Sequence, residues 1–177
     1  EKENEGYSIA KASAVLMCKY IFEKNPACCY KTLIPCNIYG GGYRSFRPEK
    51  AHVIVSAIKK IYRAKLENLA EVEIWGDGEA RRELIYAGDL AKIILFAAEN
   101  LEKFPAIMNV GTGVEHTVNE CYETVAKILG YKGAFVHDTS EPSGTRRRLL
   151  DVSLMRGMGL NPETSLDRKS TRLNSSH

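Results

Sequence analysis

The chain has 177 residues, 44% of them hydrophobic and 27% charged, with a formal net charge of +3. Arg168, Lys169 and Arg172 against Asp167 place +2 of that charge (three minus one) in the final stretch, so the rest is close to neutral and a general basic footprint for nucleic acid is excluded. No run is long and apolar enough to span a membrane. Five cysteines with neither an even count nor a Cys-x-x-Cys spacing argue against a disulfide framework or a zinc site and for the reduced thiols of a cytoplasmic protein.

Helical periodicity runs over 8–24, and β-prone residues 28–34 follow, ending at Pro35, which together read as one helix and one buried strand. A loop rich in glycine and aromatics, 37–43, leads through Pro48 into a second long helix over 51–68. Short strands at 72–75 and 83–86 bracket the turn Gly76-Asp77-Gly78, and Gly88-Asp89 opens a helix to 101. A strand at 107–110, the loop Gly111-Thr112-Gly113 and a helix over 117–129 make another strand-helix unit. Phe135-Val136-His137, an arginine cluster at 146–148 and a short helix from Ser153 complete the pattern, an alternation that predicts an α/β fold with mostly parallel strands. The tail 167–177 has no apolar period and matches the in-frame translation of a common sequencing adapter, so it is set aside from fold reasoning and 1–166 is read as one unit.

Within the first helix, Tyr7-Ser8-Ile9-Ala10-Lys11 puts a phenol and an ammonium one turn apart on one face. A phenol titrates near pH 10 in water, and a cation held beside one favours the phenolate, which suits proton transfer beside a hydride. Tyr20 and Lys24 repeat the spacing, but close to Asn25-Pro26, where the chain turns away; Tyr20 reads as a packing residue and Lys24 as solvated. Small residues Ser8, Ala10, Ala12, Ser13 and Ala14 around Tyr7 allow a ligand or a helix to come close. A glycine fingerprint for a dinucleotide, set between a strand and a helix, is not present. Gly40-Gly41-Gly42 and 111–113 read as turns instead.

The order Tyr-x3-Lys, Pro35-Cys36-Asn37-Ile38-Tyr39-Gly40, His52-Val53-Ile54, Trp75-Gly76-Asp77-Gly78, Arg82-Glu83, Asn109-Val110-Gly111-Thr112-Gly113, Gly130-Tyr131-Lys132-Gly133 and Arg148-Leu149-Leu150-Asp151 resembles the extended short-chain dehydrogenases/reductases, and among them the GDP-L-fucose synthase family. The resemblance covers nearly all of 4–166. It implies an incomplete Rossmann-like doubly wound parallel sheet with a smaller C-terminal α/β substrate domain, NADP(H) as cofactor, a GDP-sugar substrate and a homodimer that pairs helices such as 8–24. It also implies that the chain is the middle and C-terminal part of the enzyme, with the glycine fingerprint and a catalytic Ser and Cys lying before it.

Residue by residue, the resemblance makes Tyr7 the proton donor or acceptor and Lys11 its partner and a ribose ligand. His52 becomes an acid in epimerisation that also touches the cofactor, and Pro35, Cys36, Asn37 and Ile38 line the nicotinamide. Lys60, Trp75, Arg82 and Arg148 bind the nucleotide-sugar, Lys60 standing where the family usually has arginine and so keeping the charge while losing the bidentate fork. His116 and His137 read as structural, and Arg146 and Arg147 as solvated. No metal is implied. Two other readings stay open at this point: a UDP- or dTDP-sugar epimerase or dehydratase with NAD, and a non-catalytic dinucleotide-binding protein.

Overall fold

The computed structural model describes residues 5–40, 52–141 and 144–167. The expected loop residues 41–43, Pro48 and most of the tail lie outside them.

Helix α1 (Glu5–Lys24) leads to strand β1 (Thr32–Pro35), which pairs in parallel with β5 (Ile107–Val110). One residue later the chain is again a strand, β2 (Asn37–Tyr39), now paired in parallel with β4 (Arg81–Tyr86). Cys36 is therefore where the backbone passes from one sheet to another, its N–H still donating to Val110 at 2.9 Å. The residues expected as a loop at 37–39 are strand because Ile38 and Tyr39 are β-formers and Tyr39, 6% exposed, packs edge-on against Tyr86 across the ladder. The preceding strand is shorter than expected, since 28–31 stay irregular, and its residues are only partly buried.

Helix α2 (Val53–Leu66) buries Ala57, Ile61 and Ala64, spaced by one turn each, against β3 (Glu71–Trp75) and α4 (Val118–Leu129). β3 pairs in parallel with β7 (Ala134–Asp138), so β3 and β4, though separated only by a glycine turn, belong to different sheets. Thr117 and Glu120 form a reciprocal capping box at the start of α4, and Gly130 closes its end at φ 65°. α3 (Ala87–Glu99), β5 and α5 (Ser153–Gly157) enclose a second core around Ile85, Ile93, Met108 and Met155. Two short strands escape the sequence pattern: β6 (Glu115–Thr117), antiparallel to β4, and β8 (Arg147–Arg148), parallel to it. β4 is thus the spine of its sheet.

α1 is helical as its periodicity predicts but contributes no buried residue. Tyr20, read above as a packing residue, is 54% exposed, because α1 meets little of the described chain. Among the described residues no helix is long and apolar enough to cross a membrane, and no group of His, Cys, Asp and Glu is placed to hold a metal ion.

Candidate active site

A cleft of about 1010 Å³ opens beyond the carboxyl ends of β1 and β5, next to the point where Cys36 changes sheets. Ends of parallel strands at such a crossing leave a crevice between diverging connections, the usual place for a ligand in an open α/β sheet. Tyr7 and Ser8 reach it from the first turns of α1, and the backbone run Pro35–Ile38 forms its floor. His52 lines it from the N-cap of α2, where its imidazole makes no capping hydrogen bond, so helix capping does not account for it. Arg148, Leu149 and Leu150 line the cleft as well.

Tyr7 is 68% exposed, and the Lys11 ammonium lies 5.7 Å from the centre of its ring, one turn along α1. Burial pushes the Cys36 thiol up to about 12, with the nearby Glu83 carboxylate adding to it. Cys36 is therefore a neutral, poorly nucleophilic thiol at physiological pH.

The sequence-derived substrate residues fall in separate places. Arg148 lines the cleft, and its Nη2 donates to Thr145 Oγ1 at 3.2 Å. Arg82 Nη1 donates to the Arg81 and Thr145 carbonyls, bracing the segment that carries Arg148. Trp75 and Lys60 form their own group at the carboxyl end of β3. The Lys60 ammonium stands 5.0 Å from the ring centre and donates to the Glu73 carbonyl at 2.9 Å, while the indole N–H donates to Glu73 Oε1, also at 2.9 Å. Arg147, expected as merely solvated, pairs with Glu115 at 2.8 Å, which holds the Glu115 carboxyl below its ordinary range. His137 bonds Asn119 at 2.8 Å and His116 sits near Glu120 at 3.8 Å, both away from the cleft.

Sequence reasoning passed over Glu73 and gave Glu83 no role. Glu83 is 1% exposed and lines the cleft, and the signal was present as an acid inside the otherwise apolar run Glu83-Leu84-Ile85-Tyr86.

This arrangement, a helix bearing Tyr-x3-Lys whose first turns reach the crevice of a mostly parallel sheet, defines a class. The family model described as "NAD dependent epimerase/dehydratase family" matches residues 1–111, and the chain belongs to that family. Over 167 residues and 94% of this chain it is 47% identical to a GDP-L-colitose synthase of Yersinia pseudotuberculosis and 44% identical to a GDP-L-fucose synthase of Azorhizobium caulinodans, covering 54% and 53% of those proteins. The solved structure of MlghC, a GDP-mannoheptose C4 reductase from Campylobacter jejuni with NADP bound, superposes with a TM-score of 0.81 at 26% identity, over 97% of this chain and 56% of that one. The chain spans about half the length of these relatives. Its fold is α/β, as the alternation of elements predicts, and Rossmann-like, as the family resemblance implies.

Proposed function

We propose that the chain is part of an NADP(H)-dependent enzyme that converts GDP-4-keto-6-deoxy-mannose to GDP-L-fucose by 3,5-epimerisation followed by reduction of the 4-keto group. The observation that carries this reading is the convergence of Tyr7, Pro35–Ile38, His52 and Arg148 on one cleft, in a chain 44% identical to a GDP-L-fucose synthase. The residues present suit a nicotinamide cofactor: a backbone floor at a sheet crossing, an unionised thiol in it, and a phenol with an ammonium one turn away.

Bound NADPH supplies the hydride for the keto carbon. Tyr7 gives its phenolic proton to the keto oxygen as negative charge develops there, and Lys11 holds the ribose on the same helix face. Epimerisation removes a proton beside the carbonyl and returns it on the opposite face, which takes two groups. His52 is one of them, since imidazole exchanges protons near neutral pH. None of the five cysteines of this chain takes the other role, so residues 1–166 alone are inactive in this reading. Arg148, Arg82 and the Lys60–Trp75 pair receive the GDP part. The exposed apolar side chains of α1, among them Ile9, Leu16 and Met17, suit a homodimer contact.

The test is turnover. The chain completed to the length of its relatives, given the GDP-keto-sugar and NADPH, should oxidise NADPH and release GDP-L-fucose, whereas an unreduced keto-sugar would sink the reading. GDP-L-colitose synthesis is the second reading, favoured by the 47% relative; a 3,6-dideoxy sugar cannot arise from a substrate that keeps its 3-hydroxyl, so turnover of the GDP-4-keto-3,6-dideoxy-hexose in place of the 6-deoxy substrate separates the two. Preference for a UDP- over a GDP-sugar in binding would replace both with an epimerase or dehydratase of the wider family.

A further inference from the structure

Glu83 is the largest charged side chain buried within the described residues, at 1% exposure, and it sits in the wall of the cleft. An isolated carboxylate in such a place is costly unless hydrogen bonds replace its water. Here each oxygen has one: Gly113 N–H donates to Oε1 at 2.7 Å and Leu150 N–H to Oε2 at 2.8 Å. Those two amides belong to segments far apart in sequence, the loop after β5 and the stretch after β8. Room for the carboxylate comes from Gly111, where a Cβ would lie 2.1 Å from Oε1.

We propose that Glu83 is a positioning residue that fixes Arg148 and Leu149 against the cleft, and so sets affinity for the nucleotide-sugar without touching it; this rests on the nucleotide-sugar reading above. The registration is direct. β8 runs alongside the start of β4 with Arg82 opposite Arg148, and two residues past Arg148 the Leu150 amide is captured by the residue that follows Arg82. A two-residue ladder is too short to hold an exposed segment by itself. The carboxylate supplies one charge-assisted bond that pins its far end, through the Leu150 amide, and a second that ties that wall to the Gly111–Gly113 loop at the carboxyl end of β5. The cationic group of Arg148 then meets a diphosphate from a fixed backbone, which leaves little ordering to be done on binding.

Glu83→Gln keeps size and shape but offers one acceptor oxygen, so one of the two amides faces an NH2 donor instead. In the completed chain this variant should raise KM for the GDP-sugar and the Kd for GDP by about tenfold while leaving kcat within about threefold and NADPH affinity unchanged. Hydrogen exchange at Gly113 and Leu150 should quicken in parallel. Gly111→Ala, which displaces the carboxylate without altering its charge, should reproduce the pattern. Unchanged KM and Kd in either folded variant would overturn the proposal, as would equal losses of NADPH and GDP affinity or a fall in kcat at constant KM. If the parent binds UDP instead of GDP, the GDP reading fails by itself, and the same comparison run with UDP decides the role of Glu83.

Discussion

The Lys60 ammonium lies 5.0 Å from the centre of the Trp75 ring, and both are tied to Glu73, the lysine through its carbonyl and the indole through its carboxylate. One residue thus orients a flat aromatic surface and a cation side by side. Trp75 is the only tryptophan of the chain and is 54% exposed, so its emission reports on this surface. GDP should quench that emission, and Lys60→Ala should weaken the binding about fivefold, the size of an exposed cation–π and ion contact. No response to GDP in the fluorescence titration would remove Trp75 from the binding surface.

Tyr7→Phe deletes one oxygen at the mouth of the cleft and leaves the ring that faces Lys11. In the completed chain, NADPH oxidation with the keto-sugar should fall by about 10²- to 10⁴-fold, the usual contribution of a positioned general acid, with NADPH affinity retained. His52→Gln should depress epimerisation, followed as solvent deuterium entering the sugar, more than it depresses reduction of an already epimerised substrate.

Cys36 and Cys121 are both raised to about 12 by burial, from an ordinary value of 9.0, so the folded chain keeps both protons where the unfolded chain loses them. Their contribution to stability is complete below about pH 9 and is lost as pH rises from there toward 12, because unfolding then releases protons. The melting temperature should therefore decline above pH 9, and Cys36→Ala with Cys121→Ala should flatten that decline. Iodoacetamide at pH 8, read by peptide mass spectrometry, should label these two thiols last.

Ile61 is fully buried between α2, β3 and α4, and Ile61→Ala should cost about 2–5 kcal/mol in urea unfolding. Thr117→Ala removes the hydroxyl that accepts from the Glu120 amide at 3.0 Å and should cost about 1 kcal/mol. If the smaller change proves the more damaging, the core is not centred on Ile61.

Much of this molecule could be read before it was seen in three dimensions. The helices expected over 51–68 and 117–129 form over 53–66 and 118–129, since turn-spaced apolar residues such as Ala57, Ile61 and Ala64 fix a helical face locally. Tyr7 and Lys11 were legible as a pair because four residues of helix fix their relation regardless of what surrounds them. The strand at 37–39 was not, since three residues carry too little alternation to outweigh the glycines that follow, and its evidence lies in a partner forty-seven positions away, Asn37 opposite Leu84.

The sequence by itself determined what depends on local spacing: the α/β alternation, the Tyr7–Lys11 face, and the family motifs that place the chain among the epimerases/dehydratases. Only the tertiary structure decided that Cys36 marks the passage between two sheets, that Lys60 and Trp75 form a group apart from the cleft, and that Glu83 is buried with both oxygens on distant amides. The physical reason is the same in each case. Helical neighbours are set by a backbone repeat of 3.6 residues, whereas parallel strands and buried carboxylates find their partners through chain crossings that bring together residues dozens of positions apart, for which no local period exists.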